Sequence, residues 1–188
     1  MSEQGFESRC GRFPGMDPAF LARRAMRAWK LNVVEAYDVA ARMRRVRFTG
    51  DDLKEMEWRP GQDLVLNLPQ PDGSIARRHY TIRKHEGASV DVDFVLHGES
   101  PATRWARDAA AGATIEAHGP RGRTSVRADI KHHWFVGDET CLPGIFAMAE
   151  RLPQSAEATI LIEIEDDADK QALKAPPGVE LHWVPRNG

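Results

Sequence analysis

The chain has 188 residues, of which 41% are hydrophobic and 29% are charged, and its formal net charge is −2. This composition is typical of a soluble globular protein with one full domain and a smaller or incomplete second one, and the near-neutral charge argues against a general nucleic-acid-binding protein. The two cysteines, Cys10 and Cys141, form no CxxC pair and have no partner at zinc-ligand spacing, which disfavours a disulfide scaffold and a structural zinc site.

Residues 1–26 mix Gly, Pro, Arg and Ser without periodicity, which predicts a flexible leader, although "PAFLARRAMRAW" could form a helical turn. This segment lacks the continuous apolar core of an export signal, and no later segment is long enough to span a bilayer. We therefore expect a cytoplasmic protein that does not enter the membrane.

From Leu31 the sequence alternates between apolar and polar residues in short segments that are separated by turn residues, which predicts β-strands. The predicted strands are "LNVVEAYDV", "MRRVRFTG", "DLVLNLP", "ARRHYTIRK" and "SVDVDFVLH". A helix from Pro101 that stops at Gly112 and a last strand over Thr114 to Ala117 follow. Short connections between these strands predict an antiparallel barrel or sandwich over residues 27–128.

The pattern changes between Arg127 and Lys131, where we place the domain boundary. Residues 129–188 contain a buried strand "HHWFVG", a turn "DETCLP", a helix "GIFAMAERL" and two more strands, "ATILIEIE" and "VELHWV". Strand, helix and strand in this order predict the beginning of a doubly wound parallel sheet. The predicted fold is thus an antiparallel β-barrel followed by a partial α/β domain.

Four motifs, in this order, carry a resemblance to a known family: "RRHYTIR", "VLHGESPATRWA", "HGPRG" and "GDETCLPGI". Together they resemble the siderophore-interacting proteins, the FAD-dependent ferric-siderophore reductases of the ferredoxin-reductase superfamily. The resemblance runs from about Met26 to Gly188. It implies that the barrel binds FAD and that the second domain is NAD(P)H-binding-like.

The resemblance implies that the Arg-x-Tyr-Thr element of "RRHYTIR" clamps the flavin. On a strand, Arg78 and Tyr80 point to one face about 7 Å apart. Tyr80 can stack on the flavin ring for about 0.5–1.5 kcal/mol, and Arg78 can form a charge-assisted pair with phosphate for about 1.5–3 kcal/mol. His79 lies within the same element, and Thr81 is implied near the reactive edge of the ring. The alternative is an exposed strand with a cationic rim.

The helix that starts at Pro101 supplies the second part of the implied flavin site. Its first turn has unpaired N–H groups and the positive end of the helix dipole, which suit a diphosphate. Ala102 and Thr103 are the implied donors, and His97 is an implied flavin contact. Ser100 replaces the family's usual glycine. The alternative is an N-capped helix with Trp105 in the core, and for Trp105 we favour this interpretation.

By the same resemblance, "VGDETCLPGI" contacts a nicotinamide dinucleotide through Gly137, Asp138, Thr140 and Pro143. It follows a buried strand and opens a helix, which is where open α/β sheets bind nucleotide phosphates. The alternative is a capped strand-to-helix turn. The histidines do not form a spaced ligand set, so we expect no metal site in the protein itself.

The implied function is FAD-dependent reduction of a ferric siderophore, with NADPH, NADH or a ferredoxin as the electron donor. Family members continue beyond the third strand of the second domain, so we expect this domain to be incomplete at its C-terminus. Two alternatives remain open: a flavin- or siderophore-binding module that has lost turnover with that part, and a flavin reductase with a non-iron acceptor. The acidic strand end at Glu165 and Asp166 favours a free ribose hydroxyl, but the donor is undecided.

Overall fold

The computed structural model describes residues 26–127 and 129–187. Its first part is a closed antiparallel barrel of six strands, which confirms the predicted barrel. The strands are β1 (Ala28–Ala40), β2 (Met43–Thr49), β3 (Asp63–Pro69), β4 (Ile75–Glu86), β5 (Ser89–Val95) and β6 (Thr114–Arg121). Around the barrel they follow the order β1-β2-β5-β4-β3-β6, so that every strand is paired along both edges.

The barrel core is built by alternating side chains that point inwards. Leu64, Leu66 and Leu68 of β3 are fully buried, as expected for positions separated by two residues on one strand face. Helix α1 (Pro101–Asp108) packs against this core. Its Trp105 ring lies 6.1 Å from the Phe48 ring and is stacked on it, which agrees with the interpretation of Trp105 as a core residue. A short 3₁₀-helix spans Leu53–Glu55.

Two elements of the barrel part differ most from the predictions: the end of helix α1 and the start of strand β1. Helix α1 ends at Asp108 instead of Gly112, because the chain pairs there with β1: the Gly112 N–H donates to the Val33 carbonyl at 2.9 Å. Strand β1 begins at Ala28, so the last two residues of the predicted N-terminal helical turn are extended. Met26 and Arg27 of that turn lie in neither a helix nor a strand, and residues 1–25 lie outside the described residues.

The second part is a parallel sheet of three strands, which confirms the predicted parallel α/β unit. Its strands β7 (His132–Asp138), β8 (Glu157–Ile164) and β9 (Val179–Pro185) lie side by side in chain order. Helix α2 (Leu142–Ala149) connects β7 to β8, whereas the described connection from β8 to β9 contains a short 3₁₀-helix at Asp167–Asp169. One sheet face is open, and Trp134 and Val136 on it are 68% and 69% exposed.

The barrel and the parallel sheet bury one hydrophobic cluster together. Met43 of β2 and Val95 of β5, on the outside of the barrel, pack in one cluster with Leu142 and Phe146 of α2 and with β8. The chain passes between the two parts in the connection from Arg121 to His132, which includes the predicted boundary. Helix α2 therefore lies between barrel and sheet and contributes to the packing of both.

Within the described ranges, no helix is both long enough and apolar enough to cross a membrane.

Candidate functional site

Strand β4 brings Arg78 and Tyr80 to one face of the barrel wall. Arg78 is paired with Leu66 and Tyr80 with Leu64, and directly paired residues of antiparallel strands share a face. The Tyr80 ring is half-buried, 4.3 Å from the Phe94 ring, and this burial raises the pKa of the Tyr80 phenol. Tyr80 thus stays protonated at neutral pH, while Arg78 remains exposed to solvent.

The start of helix α1 is fixed by a network of three polar residues. The Thr103 N–H donates to Ser100 Oγ at 3.1 Å, and the two hydroxyls lie 2.9 Å apart. The Thr103 hydroxyl also donates to the His97 carbonyl at 3.1 Å. Pro101 has no N–H, and the Ala102 N–H lies in the first turn, where an α-helix offers it no intrahelical acceptor. The arrangement leaves the positive end of α1 available beside β4.

Replacing Ser100 by alanine removes the N-cap of α1. We expect the free energy of unfolding to fall by about 1 kcal/mol, within the range of about 0.5–2 kcal/mol measured for such caps. Urea denaturation of the two proteins measures this difference. The matched control is Ser125→Ala, at an exposed position outside helices and strands, which should change stability by less than about 0.5 kcal/mol. Equal losses in both variants would contradict the capping role.

The turn between β7 and α2 is also held by side-chain hydrogen bonds. The Thr140 N–H and hydroxyl donate to Asp138 Oδ1 at 2.9 and 2.6 Å, and the hydroxyl bond contributes most to lowering the pKa of Asp138. A Cβ atom at Gly137 would lie 2.6 Å from the Cys141 Cβ, which explains the glycine. Gly137 and Asp138 therefore shape the turn that carries Thr140.

Arg186, directly after β9, forms ion pairs with several acidic residues at the carboxyl edge of the sheet. It donates to Glu139 at 2.9 and 2.7 Å and to Glu163 at 2.6 Å, and the bond to Glu139 lowers the pKa of that carboxyl group. The two acidic residues considered for a ribose contact are already paired: Glu165 with Arg186, and Asp166 with Arg42 at 2.6 Å.

The bond between Arg186 and Glu139 predicts a dependence of stability on pH. The folded pKa of Glu139 lies below its unfolded value, so the stabilisation is present above an unfolded pKa of about 4.3 and is lost as the pH falls through the folded value. Between about pH 5 and pH 3, the melting temperature should therefore fall less steeply in Arg186→Gln than in the wild type. Thermal denaturation across this range tests it, and parallel curves would show that the bond is absent in solution.

A cavity of about 220 Å³ lies between the barrel and the start of α2. It is lined by His79, Tyr80, Thr81, Asp93, Val95, His97, Ser100, Thr103, Thr140 and Pro143. Next to it along β4 and α1 lies an open groove of about 700 Å³. It is lined by residues 70–72 and 74–78, which include Arg77 and Arg78, and by Pro101 and Arg104. The two spaces follow the same strand and the same helix start.

Most of the residues predicted for the site line these two spaces. The cavity contains His79, Tyr80, Thr81, His97, Thr103, Thr140 and Pro143, and the groove contains Arg78 and Pro101. Ala102 is buried in the first turn of α1, and Gly137 and Asp138 line neither space. Arg77, Arg104, Asp93 and Val95 also line the two spaces and were not predicted as site residues. A count of arginines near the motif would have indicated the first two.

The pair of spaces has the chemistry that FAD requires. The smaller cavity presents the Tyr80 ring, to which a flat ring can stack. The groove presents Arg77, Arg78 and Arg104 beside a helix N-terminus, and guanidinium groups and helix starts both favour phosphate oxygens. A ligand with a ring at one end and a diphosphate beside it fits this arrangement.

Two family models match the chain. Residues 68–124 match the siderophore-interacting FAD-binding domain, and residues 130–188 match the model described as siderophore-interacting protein. The first match covers β4, β5, α1 and β6, which carry most of the cavity and the groove. The second covers the parallel sheet and α2.

Individual relatives agree with these matches. The solved structure of the siderophore-interacting protein SipS from Aeromonas hydrophila is 33% identical, with a TM-score of 0.74 over 85% of this chain and 68% of that one. The ferric vibriobactin reductase ViuB of Vibrio cholerae is 28% identical over 84% of this chain, which spans 66% of its length. An NADPH-dependent ferric-chelate reductase of Escherichia coli is 26% identical over 86% of this chain and 73% of its own. The chain belongs to the siderophore-interacting protein family.

Proposed function

We propose that the protein is an FAD-dependent reductase that converts the ferric iron of a siderophore to ferrous iron. The observation that carries this proposal is the cavity beside Tyr80, with a groove that holds three arginines next to it along β4. The names of the Vibrio and Escherichia relatives, both reductases of ferric chelates, support the same activity. Ferrous iron is held less tightly by such chelators, so that reduction releases it.

When bound, FAD would supply the redox chemistry of the site, since a flavin can take up two electrons and release them singly to an acceptor such as ferric iron. The chain's own residues would hold and orient it. Tyr80, which lies against Phe94, would pack against the ring, while Arg78 and the N-terminus of α1 would neutralise the diphosphate. One nucleotide oxidised would reduce two ferric ions.

The donor side of the cavity would be formed by α2. Thr140 and Pro143 line the cavity opposite the barrel, and the Thr140 hydroxyl is oriented by Asp138. The name of the Escherichia relative favours NADPH as the donor, and NADH and a ferredoxin are the alternatives to be tested. A ferric siderophore is proposed as the substrate from the name of the Vibrio relative and from the family that the chain belongs to.

The test is an anaerobic titration of the purified, FAD-loaded protein followed by visible absorption. NADPH, NADH and reduced ferredoxin are added in separate samples, and a ferric siderophore is added after the flavin is bleached. We expect one donor to bleach the flavin, the ferric siderophore to restore its bands, and a ferrous-specific chelator to report two Fe(II) per fully reduced flavin.

The matched control is the same siderophore loaded with gallium(III), which has the charge of ferric iron and is not reduced. Recovery of the flavin bands with the gallium complex would indicate a different acceptor and would support a flavin reductase. Stable FAD binding without bleaching by any of the three donors would support a binding module without turnover. Failure to bind FAD would overturn the site assignment as well as the activity.

A further inference from the structure

A partly buried ion pair connects the barrel to the end of α2. Both terminal nitrogens of Arg83 on β4 donate to the Glu150 carboxylate, which follows α2, at 2.7 and 2.6 Å. Arg83 is only 8% exposed, and its guanidinium carbon lies 5.7 Å from the centre of the Phe146 ring. The pair therefore lies in the packed contact between the two parts of the molecule, although the Glu150 side chain is still 25% exposed.

The pair continues into the wall of the cavity. Asp93 lines the cavity, its side chain is fully buried, and it accepts two hydrogen bonds from Arg45 at 2.6 and 2.8 Å. The Nε atom of Arg83 lies 3.9 Å from Asp93 Oδ2 and has no hydrogen-bond partner among the described residues. Arg45, Asp93, Arg83 and Glu150 thus form a row of alternating charges from β2 to the end of α2.

Helix α2 is positioned along β4 at two points. Near its start, a Cβ atom at Gly144 would lie 3.5 Å from the Thr81 methyl group, which is ordinary contact distance. At its end, Glu150 binds Arg83. Arg83 follows Thr81 by two residues on β4, and Gly144 and Glu150 are about 9 Å apart along the helix axis, so strand and helix run side by side.

A buried ion pair is weak grounds for stability, because desolvation of the two charges offsets their attraction. A bidentate pair does, however, fix the relative orientation of its two partners, since both hydrogen bonds require one geometry. The start of α2 carries Thr140 and Pro143, which form the cavity wall opposite Thr81. A change in the position of α2 would therefore change the width of the cavity.

We propose that Arg83 and Glu150 are positioning residues, which set the distance between the start of α2 and Thr81 and thereby the gap through which the electron donor approaches the flavin. The role in electron donation rests on the proposed function. The positioning of α2 by the ion pair is a property of the chain with or without FAD. Neither residue contacts the cavity directly; both act through α2.

The test measures the position of α2 by pulsed electron paramagnetic resonance. In a Cys10→Ser, Glu116→Cys background, spin labels are attached at exposed Cys141, at the start of α2, and at position 116 on β6. We expect Glu150→Gln to broaden the distance distribution and to shift its mean. The matched control is Glu86→Gln, which removes a carboxylate from the exposed Lys84–Glu86 pair of β4 and should leave the distribution unchanged.

A purely structural role would lower the melting temperature of Glu150→Gln and leave the distance distribution as it is, which would overturn the proposal. Should Glu150→Gln not fold, Arg83→Lys keeps the charge, loses the bidentate geometry and should give a smaller broadening. In FAD-loaded protein, Glu150→Gln should slow bleaching by the nucleotide at least about tenfold. Reoxidation of chemically reduced flavin by the ferric siderophore should keep its wild-type rate. Because distances are also measured without FAD, failure of the proposed function does not decide this test.

Discussion

Replacing Arg78 by alanine should weaken FAD binding by about 10- to 150-fold, the equivalent of about 1.5–3 kcal/mol for a charge-assisted hydrogen bond. The loss is expected to be local, because Arg78 is exposed to solvent and lines the groove. Fluorescence titration of the FAD-free protein with FAD gives the two dissociation constants.

The control for this experiment is Arg127→Ala, which removes an equally large cation that pairs with Asp129 and lies outside both spaces. Its FAD affinity should equal that of the wild type. A second comparison separates the role of the Tyr80 ring: Tyr80→Phe keeps the ring and should keep FAD, whereas Tyr80→Ala should lose it. Stoichiometric FAD in both Arg78→Ala and Tyr80→Ala would show that the ligand binds elsewhere.

Replacing Phe146 by alanine should lower the free energy of unfolding by about 3–5 kcal/mol, the usual cost of truncating a buried phenylalanine. Phe146 is 1% exposed and belongs to the cluster that the barrel and the parallel sheet bury together. We therefore expect the barrel and the parallel sheet to be destabilised together and to unfold in one transition. Calorimetry and circular dichroism in urea measure this.

Val136→Ala is the matched control, since it truncates an apolar side chain that is 69% exposed on the open sheet face. Its effect should stay within about 0.5 kcal/mol. Two separate transitions in Phe146→Ala, with the barrel unfolding at its wild-type denaturant concentration, would show that the shared cluster does not couple the two parts.

The element order could be predicted from the sequence because the apolar period changes clearly between the two parts. Strand β3 was predicted with its observed limits, from Asp63 to Pro69, since turn residues bound it on both sides. The end of α1 was predicted too late because the Ala-rich segment after Asp108 favours a helix by propensity alone. Tertiary pairing of Gly112 with Val33 overrides that local preference.

The site could be predicted only in part, for a different physical reason. The motif around Tyr80 indicates which strand contributes, and the residues along it are found in both spaces. Asp93 and Val95 were missed because their place in the cavity wall depends on which strands become neighbours. The two aspartates of "DVD" on β5, Asp91 and Asp93, pair with Arg47 and Arg45 on β2. The alternating charges of the two segments could have indicated that these strands are neighbours.

The position of Met43 and Val95 has a consequence for how modules of this type can be exchanged. Both side chains are on the outside of a barrel, and both are buried by a helix that belongs to the following unit. A recombinant that joins this barrel to the second unit of a distant relative inherits that surface and needs a helix with a matching apolar side. The two units can thus be recognised separately in sequence, but the apolar surfaces that they share would have to change together.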